Sequence, residues 1–127
     1  MKIEIYEEME KLVKEKGLYK YLTEEFEAKY RNLDDETREK IKEFVKEEFV
    51  RENDDEPEAI YIYDEYLNEL EDSLTQELGQ NLEWLINHID YNSIIYDNIL
   101  NGNMTWYIVK VEKDNSIKTS YVVLVEY

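Results

Sequence analysis

The spacing of the apolar residues changes once along this chain, at the turn formed by residues 101–103. Before the turn, apolar residues recur at intervals of three and four, which is the period of amphipathic helices. After it, residues 104–111 and 117–127 are rich in β-branched and aromatic side chains and flank a short polar segment, which is typical of a β-hairpin. The sequence therefore predicts an α+β fold, mainly α-helical with a C-terminal β-hairpin. A lone hairpin is marginal in water, so this one must pack on the helices or pair with another chain.

The predicted helices follow from apolar stripes and from the residues that cap them. Their ranges are 3–16 ended by Gly17, 18–31, 35–52 begun by Asp34, and 57–78 begun by Pro57 and ended by Gly79, with short helices after Asn81 and after Asp90. The 127 residues fit one domain, 1–127, with a mixed-charge helical part at 1–52 and an acidic part at 57–127 that includes the hairpin.

Residues 52–109 contain no Lys or Arg but carry 14 Asp and Glu residues, in a chain whose formal net charge is −17. Charges of one sign repel one another and destabilise the compact state, so such a stretch needs a reason: steering, solubility or a basic partner. In the N-terminal part the acids alternate with Lys and Arg, which is typical of ordinary solvated helices. The excess of acidic over basic residues argues against direct binding of nucleic acids and of anionic membranes, and it allows a basic protein partner.

The acids expected on the fourth helix recur on one face, with no Lys four residues away to relieve them. Carboxylates three or four residues apart on a helix have the order of spacing of phosphates along a DNA strand, so the face is predicted to imitate duplex DNA, with solubility or salt adaptation as the alternative. Tyr61 and Tyr66 lie between these acids and, if exposed, offer a partner both apolar area and a hydroxyl. The predicted partner-binding residues are Glu58, Asp64, Glu65, Glu69, Glu71, Asp72, Glu77, Glu83, Asp90, Asp97, Tyr61 and Tyr66.

Several kinds of chemistry have no support in the residue types present. There is no Cys, and His88 is the single histidine, so thiolate sites and histidine-rich metal sites are excluded. No glycine-rich phosphate loop or calcium loop occurs, and no cofactor, metal or catalytic residue is predicted. An enzyme would require a cleft that gathers carboxylates with raised pKa. No apolar run is long enough for a membrane span or a signal peptide, so a cytoplasmic location is expected, in the host cell if the protein is viral.

One segment resembles a known family. Residues 87–97, Asn-His-Ile-Asp-Tyr-Asn-Ser-Ile-Ile-Tyr-Asp, with Asn101-Gly102 and Trp106-Tyr107 after them, resemble a recurring segment of the ArdA-type antirestriction proteins. That family consists of acidic, elongated, often dimeric DNA mimics, carried by phages and mobile elements, that block type I restriction enzymes. The resemblance implies that Asp90 and Asp97 belong to an acidic display, while Asp90 is also suited to cap a helix.

Two functions are therefore expected, in different classes. The first is a non-enzymatic DNA-mimic inhibitor of a host defence nuclease, such as a restriction or CRISPR effector complex, that occupies the basic nucleic-acid groove. The second is a small helical interaction module, antitoxin-like or from a virion, that binds through apolar contacts. In that reading Tyr121, Val123, Val125 and Tyr127 offer an exposed strand edge to a partner, and a homodimer is allowed.

Overall fold

Strands occur in the N-terminal and middle parts of this chain as well as at its C-terminal end. The computed structural model describes residues 1–24, 30–78, 89–113 and 117–127. The elements in these ranges are β1 (Lys2–Ile5), α1 (Glu7–Lys16), α2 (Leu18–Glu24), α3 (Asp35–Asn53), β2 (Ala59–Ile62), α4 (Tyr63–Leu78), α5 (Tyr91–Leu100), β3 (Met104–Lys113) and β4 (Ile117–Glu126).

The strands form one antiparallel sheet of four, in the order β1-β3-β4-β2. The predicted hairpin is confirmed, since β3 and β4 pair from Met104↔Glu126 to Lys113↔Ile117. The predicted fold class is nevertheless wrong, because the strands are spread along the chain and the hairpin supplies only the two central ones. A hairpin is marginal alone, and here β1 pairs with β3 while β2 pairs with β4, so each hairpin strand gains a second partner.

Both outer strands come from segments predicted to be helical. Residues 3–5 of β1 lie in the first predicted helix and Ala59–Ile62 in the fourth, but α1 begins at Glu7 and α4 at Tyr63 rather than at Pro57. Each strand has four residues, and a segment this short shows too little periodicity to separate a strand from a helical turn. These two segments form strands because they pair with β3 and β4, which are distant in sequence.

The capping predictions for Asp34, Gly17 and Asp90 are confirmed, whereas the helix start at Pro57 is not. The Asp34 carboxylate accepts a hydrogen bond from the Thr37 amide, Gly17 ends α1 with φ 95°, and Asp90 begins α5. The positive φ of Gly17 is one that a side chain would strain, which explains glycine at this position. The segments 25–29, 79–88 and 114–116 lie outside the described residues, and with them the predictions for Gly79, Asn81, Glu83 and His88.

The described helices cover both faces of the sheet. Side chains alternate between the two faces of a strand, and the ring of Tyr127 lies 5.6 Å from that of Phe49 on α3, so the face that carries Tyr121, Val123 and Val125 points towards α3. On the opposite face, the ring of Tyr61 lies 5.1 Å from that of Tyr66 on α4. The prediction that Tyr121, Val123 and Val125 offer an exposed edge is wrong, because β4 lies inside the sheet and all three are buried.

The buried core joins the two parts that the charge pattern distinguishes. Val13 and Ile41 from the mixed-charge part are buried in the same cluster as Ile95, Val109 and Leu124 from the acidic part. Residues 2–5 of β1 also pair with residues 109–112 of β3, so the sheet joins the two parts as well. The residues 1–52 and 57–127 are thus not separate structural units.

Candidate acidic interface

The first acids of α4 are neutralised by cations from α3. The Arg38 guanidinium donates to both carboxylate oxygens of Asp64, at 2.9 and 2.8 Å. It also donates to the backbone carbonyls of Leu33 and Tyr30, at 3.0 and 2.7 Å. The bond to Asp64 is the main cause of the raised pKa of Arg38, and it outweighs the opposing effect of burial. Asp64 is therefore tied into the fold.

Glu65 is bound in the same way and has a second structural task. Its carboxylate lies 2.9 Å from the Lys42 ammonium and 3.5 Å from the Arg38 guanidinium. It also accepts a hydrogen bond from the Ile62 amide at 3.0 Å, which satisfies a donor at the end of β2. As predicted, α4 carries no Lys that could neutralise its acids. The compensating cations come instead from α3. Asp64 and Glu65 lie among the predicted binding residues, and the fold already uses both carboxylates.

A different group of acids meets without compensation. Glu58 precedes β2, Glu69 lies on α4 and Glu126 ends β4, and we call these three residues the acidic cluster. The pKa of Glu126 is raised, first because burial disfavours its charged form and then because Glu69 and Glu58 repel it. No ion pair formed by the described residues reaches any of the three. The sheet and α4 thus hold like charges together.

The acidic cluster corrects the sequence prediction in two ways. Glu58 does not share a helical face with Glu65, Glu69 and Asp72, because α4 begins only at Tyr63. It nevertheless approaches the same acids through the pairing of β2 with β4, where the Glu58 amide donates to the Glu126 carbonyl at 2.8 Å. Glu126 was not among the predicted residues. Strand pairing that spans 68 positions in the chain brings it there, and no local pattern signals such a contact.

The two tyrosines predicted to lie between the acids differ in exposure. Tyr66 is only 7% exposed and belongs to the core, so it does not meet the condition of exposure under which it would contact a partner. Tyr61 is half-buried on β2 and lies beside the acidic cluster, with its hydroxyl 3.3 Å from the Glu69 carboxylate. Burial, followed by the charges of Glu126 and Glu69, raises the pKa of Tyr61 to about 12, so it remains a neutral donor. A phenol and carboxylates therefore share this surface.

The acids further along α4 point to solvent. Glu69, Glu71, Asp72 and Glu77 are exposed, and α4 carries no basic residue. Asp97 on α5 is also exposed, and α5 lies next to α4, since the Asn98 amide is 3.5 Å from the Tyr66 hydroxyl. These acids extend the display beyond the acidic cluster.

Asp90 has a structural role that the sequence anticipated. Its carboxylate accepts a hydrogen bond from the Ser93 amide at 3.2 Å, which caps α5. It also accepts one from the Tyr19 hydroxyl on α2, which is the main cause of the raised pKa of Tyr19. Asp90 thus joins α2 to α5, while its part in binding stays a prediction.

A cleft at the edge of β3 gathers two carboxylates and comes nearest to an enzymatic site. It has a volume of about 290 Å³ and is lined by Glu10, Lys14, Glu52, Thr105, Trp106 and Tyr107. Burial is the main cause of the raised pKa of Glu10. The Glu10 carboxylate accepts from the Ile108 amide at 3.2 Å, and that of Glu52 accepts from the Tyr107 hydroxyl at 2.8 Å. Both carboxylates are thus engaged by the chain itself, which suits a structural role.

Within residues 1–24, 30–78, 89–113 and 117–127, no three Asp, Glu or His side chains gather in a way that would hold a metal ion. None of the helices described there has the length and apolar character needed to cross a bilayer.

Comparison with known proteins adds no family. No family model, curated protein or solved structure matches this chain. The resemblance of residues 87–107 to the ArdA-type proteins stays a prediction, and so does the function that it implies.

Proposed function

We propose that this protein is a non-enzymatic inhibitor whose acidic surface occupies the basic nucleic-acid groove of a DNA-handling enzyme. A host defence nuclease, such as a restriction or CRISPR effector complex, is the proposed target. The observation that carries the proposal is the acidic cluster, in which burial, followed by repulsion from Glu69 and Glu58, raises the pKa of Glu126. A basic partner would relieve this repulsion on binding.

The distribution of the chain's own cations supports a binding role more than a general solubilising one. Arg38 and Lys42 neutralise Asp64 and Glu65 at the start of α4, whereas Glu69, Glu71 and Asp72 further along remain exposed without a described cation. If the acids served solubility alone, Glu58, Glu69 and Glu126 would not need to lie together at one site. Convergence costs stability, because like charges close together are destabilising.

The proposed binding mode follows from what basic grooves recognise. Proteins that grip DNA place Lys and Arg against phosphates, so an array of carboxylates can take the place of the backbone. Opposite fields would steer the two proteins together, and salt would weaken the association because exposed charges are screened beyond roughly 10 Å at 0.1 M. Tyr61, with its half-buried ring and neutral hydroxyl beside Glu69, adds a contact of the kind enriched at interfaces.

A competition assay tests the proposal. Purified restriction and CRISPR effector complexes would be titrated with the protein in the presence of labelled duplex DNA, at several salt concentrations. We expect the protein to displace DNA from at least one complex, and its inhibition constant to rise steeply with salt. An inhibitor that binds together with DNA, or whose affinity does not change with salt, would contradict the proposal.

Neutralising variants locate the surface. Glu69→Gln, Glu71→Gln and Asp72→Asn together remove three exposed charges from α4 without touching Asp64 or Glu65, which the fold needs. A matched control removes the same amount of charge elsewhere, through Glu7→Gln, Glu8→Gln and Glu15→Gln on exposed positions of α1. We expect the α4 variant to lose inhibition by roughly tenfold or more and the α1 variant to keep it. Equal losses in both would indicate that net charge alone matters.

A further inference from the structure

The two outer edges of the sheet are formed by β1 and β2. An unpaired strand edge offers free amides and carbonyls to another chain, and proteins protect such edges with charges and caps. Three strand amides donate to side chains rather than to another strand: that of Ile108 on β3 to the Glu10 carboxylate at 3.2 Å, that of Ile62 on β2 to the Glu65 carboxylate at 3.0 Å, and that of Val122 on β4 to the Tyr30 hydroxyl at 3.3 Å.

The outer edge of β1 has no such cap. The Tyr6 amide donates to the Ile108 carbonyl at 2.8 Å, which continues the pairing of β1 with β3. Because backbone groups point alternately to the two sides of an antiparallel strand, the amides and carbonyls of Ile3 and Ile5 must point away from β3. No hydrogen bond from a described residue reaches them on that side. β1 therefore presents a row of unpaired groups.

A groove lined by both apolar and charged side chains runs beside this edge. It has a volume of about 450 Å³ and lies between β1 and α3, where Met1 and Ile3 face Phe44, with Lys40, Glu43 and Glu47 around it. Met1 is 55% exposed, so its side chain is available to a partner. A partner that pairs with β1 would cover both the open backbone and this groove.

We propose that the partner is a second copy of this chain, with the two β1 strands antiparallel and centred on Ile3. In this register Ile3 lies opposite Ile3 of the partner subunit, and Met1 lies opposite Ile5 of the partner subunit. The outward groups of Ile3 and Ile5 then form ladder hydrogen bonds across the two-fold axis. The result is a continuous sheet of eight strands.

The charges on the other face of β1 select the same arrangement. Lys2 and Glu4 lie on either side of Ile3 in sequence, so the two-fold pairing places Lys2 opposite Glu4 of the partner subunit, and the reverse. Each interface thus contains two cross-strand pairs of opposite charge. A shift of the register by two residues would lose both pairs and leave Met1 without Ile5. The strand is self-complementary in its apolar and in its charged residues.

Charge reversal in two separate chains tests this pairing. The variant Lys2→Glu has acids at positions 2 and 4, and the variant Glu4→Lys has bases at both, so each alone places like charges across the two-fold axis. Mixed together, the two variants restore opposite charges in a heterodimer. The assay is sedimentation equilibrium of the full chain over micromolar concentrations, at low salt.

We expect the unaltered protein to sediment at twice the chain mass of 15.5 kDa. Each single variant should dimerise roughly tenfold more weakly, and their equimolar mixture should recover the original affinity. A monomeric unaltered protein, or a dimer that neither variant weakens, would overturn the proposal. The proposal would also be overturned if the mixture dimerised no more tightly than either variant alone.

Amide hydrogen exchange gives a readout that does not depend on the variants. In the dimer the Ile3 and Ile5 amides should be protected, and dilution should remove their protection while leaving the Glu4 amide, which bonds to β3, unchanged. Protection of Ile3 and Ile5 that is independent of concentration would show that another part of the same chain covers β1.

Discussion

Replacing Arg38 should destabilise the protein more than replacing any exposed cation. The Arg38 side chain is 14% exposed and that of Asp64 is 15% exposed, and the guanidinium donates four hydrogen bonds to Asp64, Leu33 and Tyr30. Removing one partner of a buried ion pair costs about 3–5 kcal/mol, because the remaining charge stays buried without compensation. Water reaches part of this site, so for Arg38→Ala we expect the lower end, about 3 kcal/mol.

The variant Arg38→Lys separates charge from geometry. A Lys keeps the positive charge but lacks the planar fork that reaches two carboxylate oxygens and two carbonyls at once. We expect a loss of about 2 kcal/mol, which is most of the effect of Arg38→Ala. As a control, Arg51→Ala removes a cation whose side chain is 69% exposed, at an ion pair with Glu48, and should cost less than about 0.5 kcal/mol.

Urea unfolding followed by circular dichroism measures these losses. With a dependence on urea of about 1.5–2 kcal/mol per molar, a loss of 3 kcal/mol lowers the midpoint by roughly 1.5–2 M. The double variant with Asp64→Ala should lose at least about 1 kcal/mol less than the sum of the two single losses, since the two residues share their bonds. If Arg38→Ala and Arg51→Ala shifted the midpoint equally, the proposed anchoring of α4 by α3 would be wrong.

Three smaller changes test other contacts by the same unfolding measurement. Tyr30→Phe leaves the Val122 amide without its acceptor and should lower the free energy of unfolding by about 1–2 kcal/mol. As a control, Tyr127→Phe changes an exposed ring and should cost almost nothing. Equal effects of the two variants would show that the hydrogen bond from the Val122 amide does not stabilise the fold. Glu126→Gln should raise the free energy of unfolding at pH 7 by about 0.5 kcal/mol. That gain should vanish below the ordinary pKa of 4.5, where the carboxyl is protonated in both folded and unfolded states; a gain that persists there would contradict repulsion as its cause. Asp54→Gly should stabilise by about 0.5 kcal/mol because Asp54 ends α3 at φ 54°, and a lower midpoint would show that its side chain matters more than this strain.

The features that the sequence predicted correctly are those set by neighbouring residues. Asp34, Gly17 and Asp90 act as caps because a cap depends on the backbone three or four residues away. The hairpin from Met104 to Glu126 is likewise a local structure, with strong β-forming residues on both sides of a polar turn.

The features that the sequence missed depend on partners distant in the chain. Ile60 fits a helical seam as well as a strand, and its pairing with Val125 decides the matter. The acids around Tyr66 in sequence made it a candidate for exposure, but on α4 it faces the sheet and contacts the ring of Tyr61. In both cases the local pattern is compatible with two structures, and tertiary packing selects one of them.

The acidic stretch of residues 52–109 shows the same difference between what the local sequence indicates and what tertiary contacts determine. A sequence reading treats residues 52–109 as uniformly uncompensated, but the packing of α3 beside α4 brings Arg38 and Lys42 to Asp64 and Glu65. The strand pairing of β2 with β4 then brings Glu58 to Glu126, where no cation follows. Folding therefore divides one acidic segment into a neutralised part that holds the helices together and an exposed part that repels itself. The exposed part alone can gain free energy from a basic partner, which is why the neutralising variants belong at Glu69, Glu71 and Asp72.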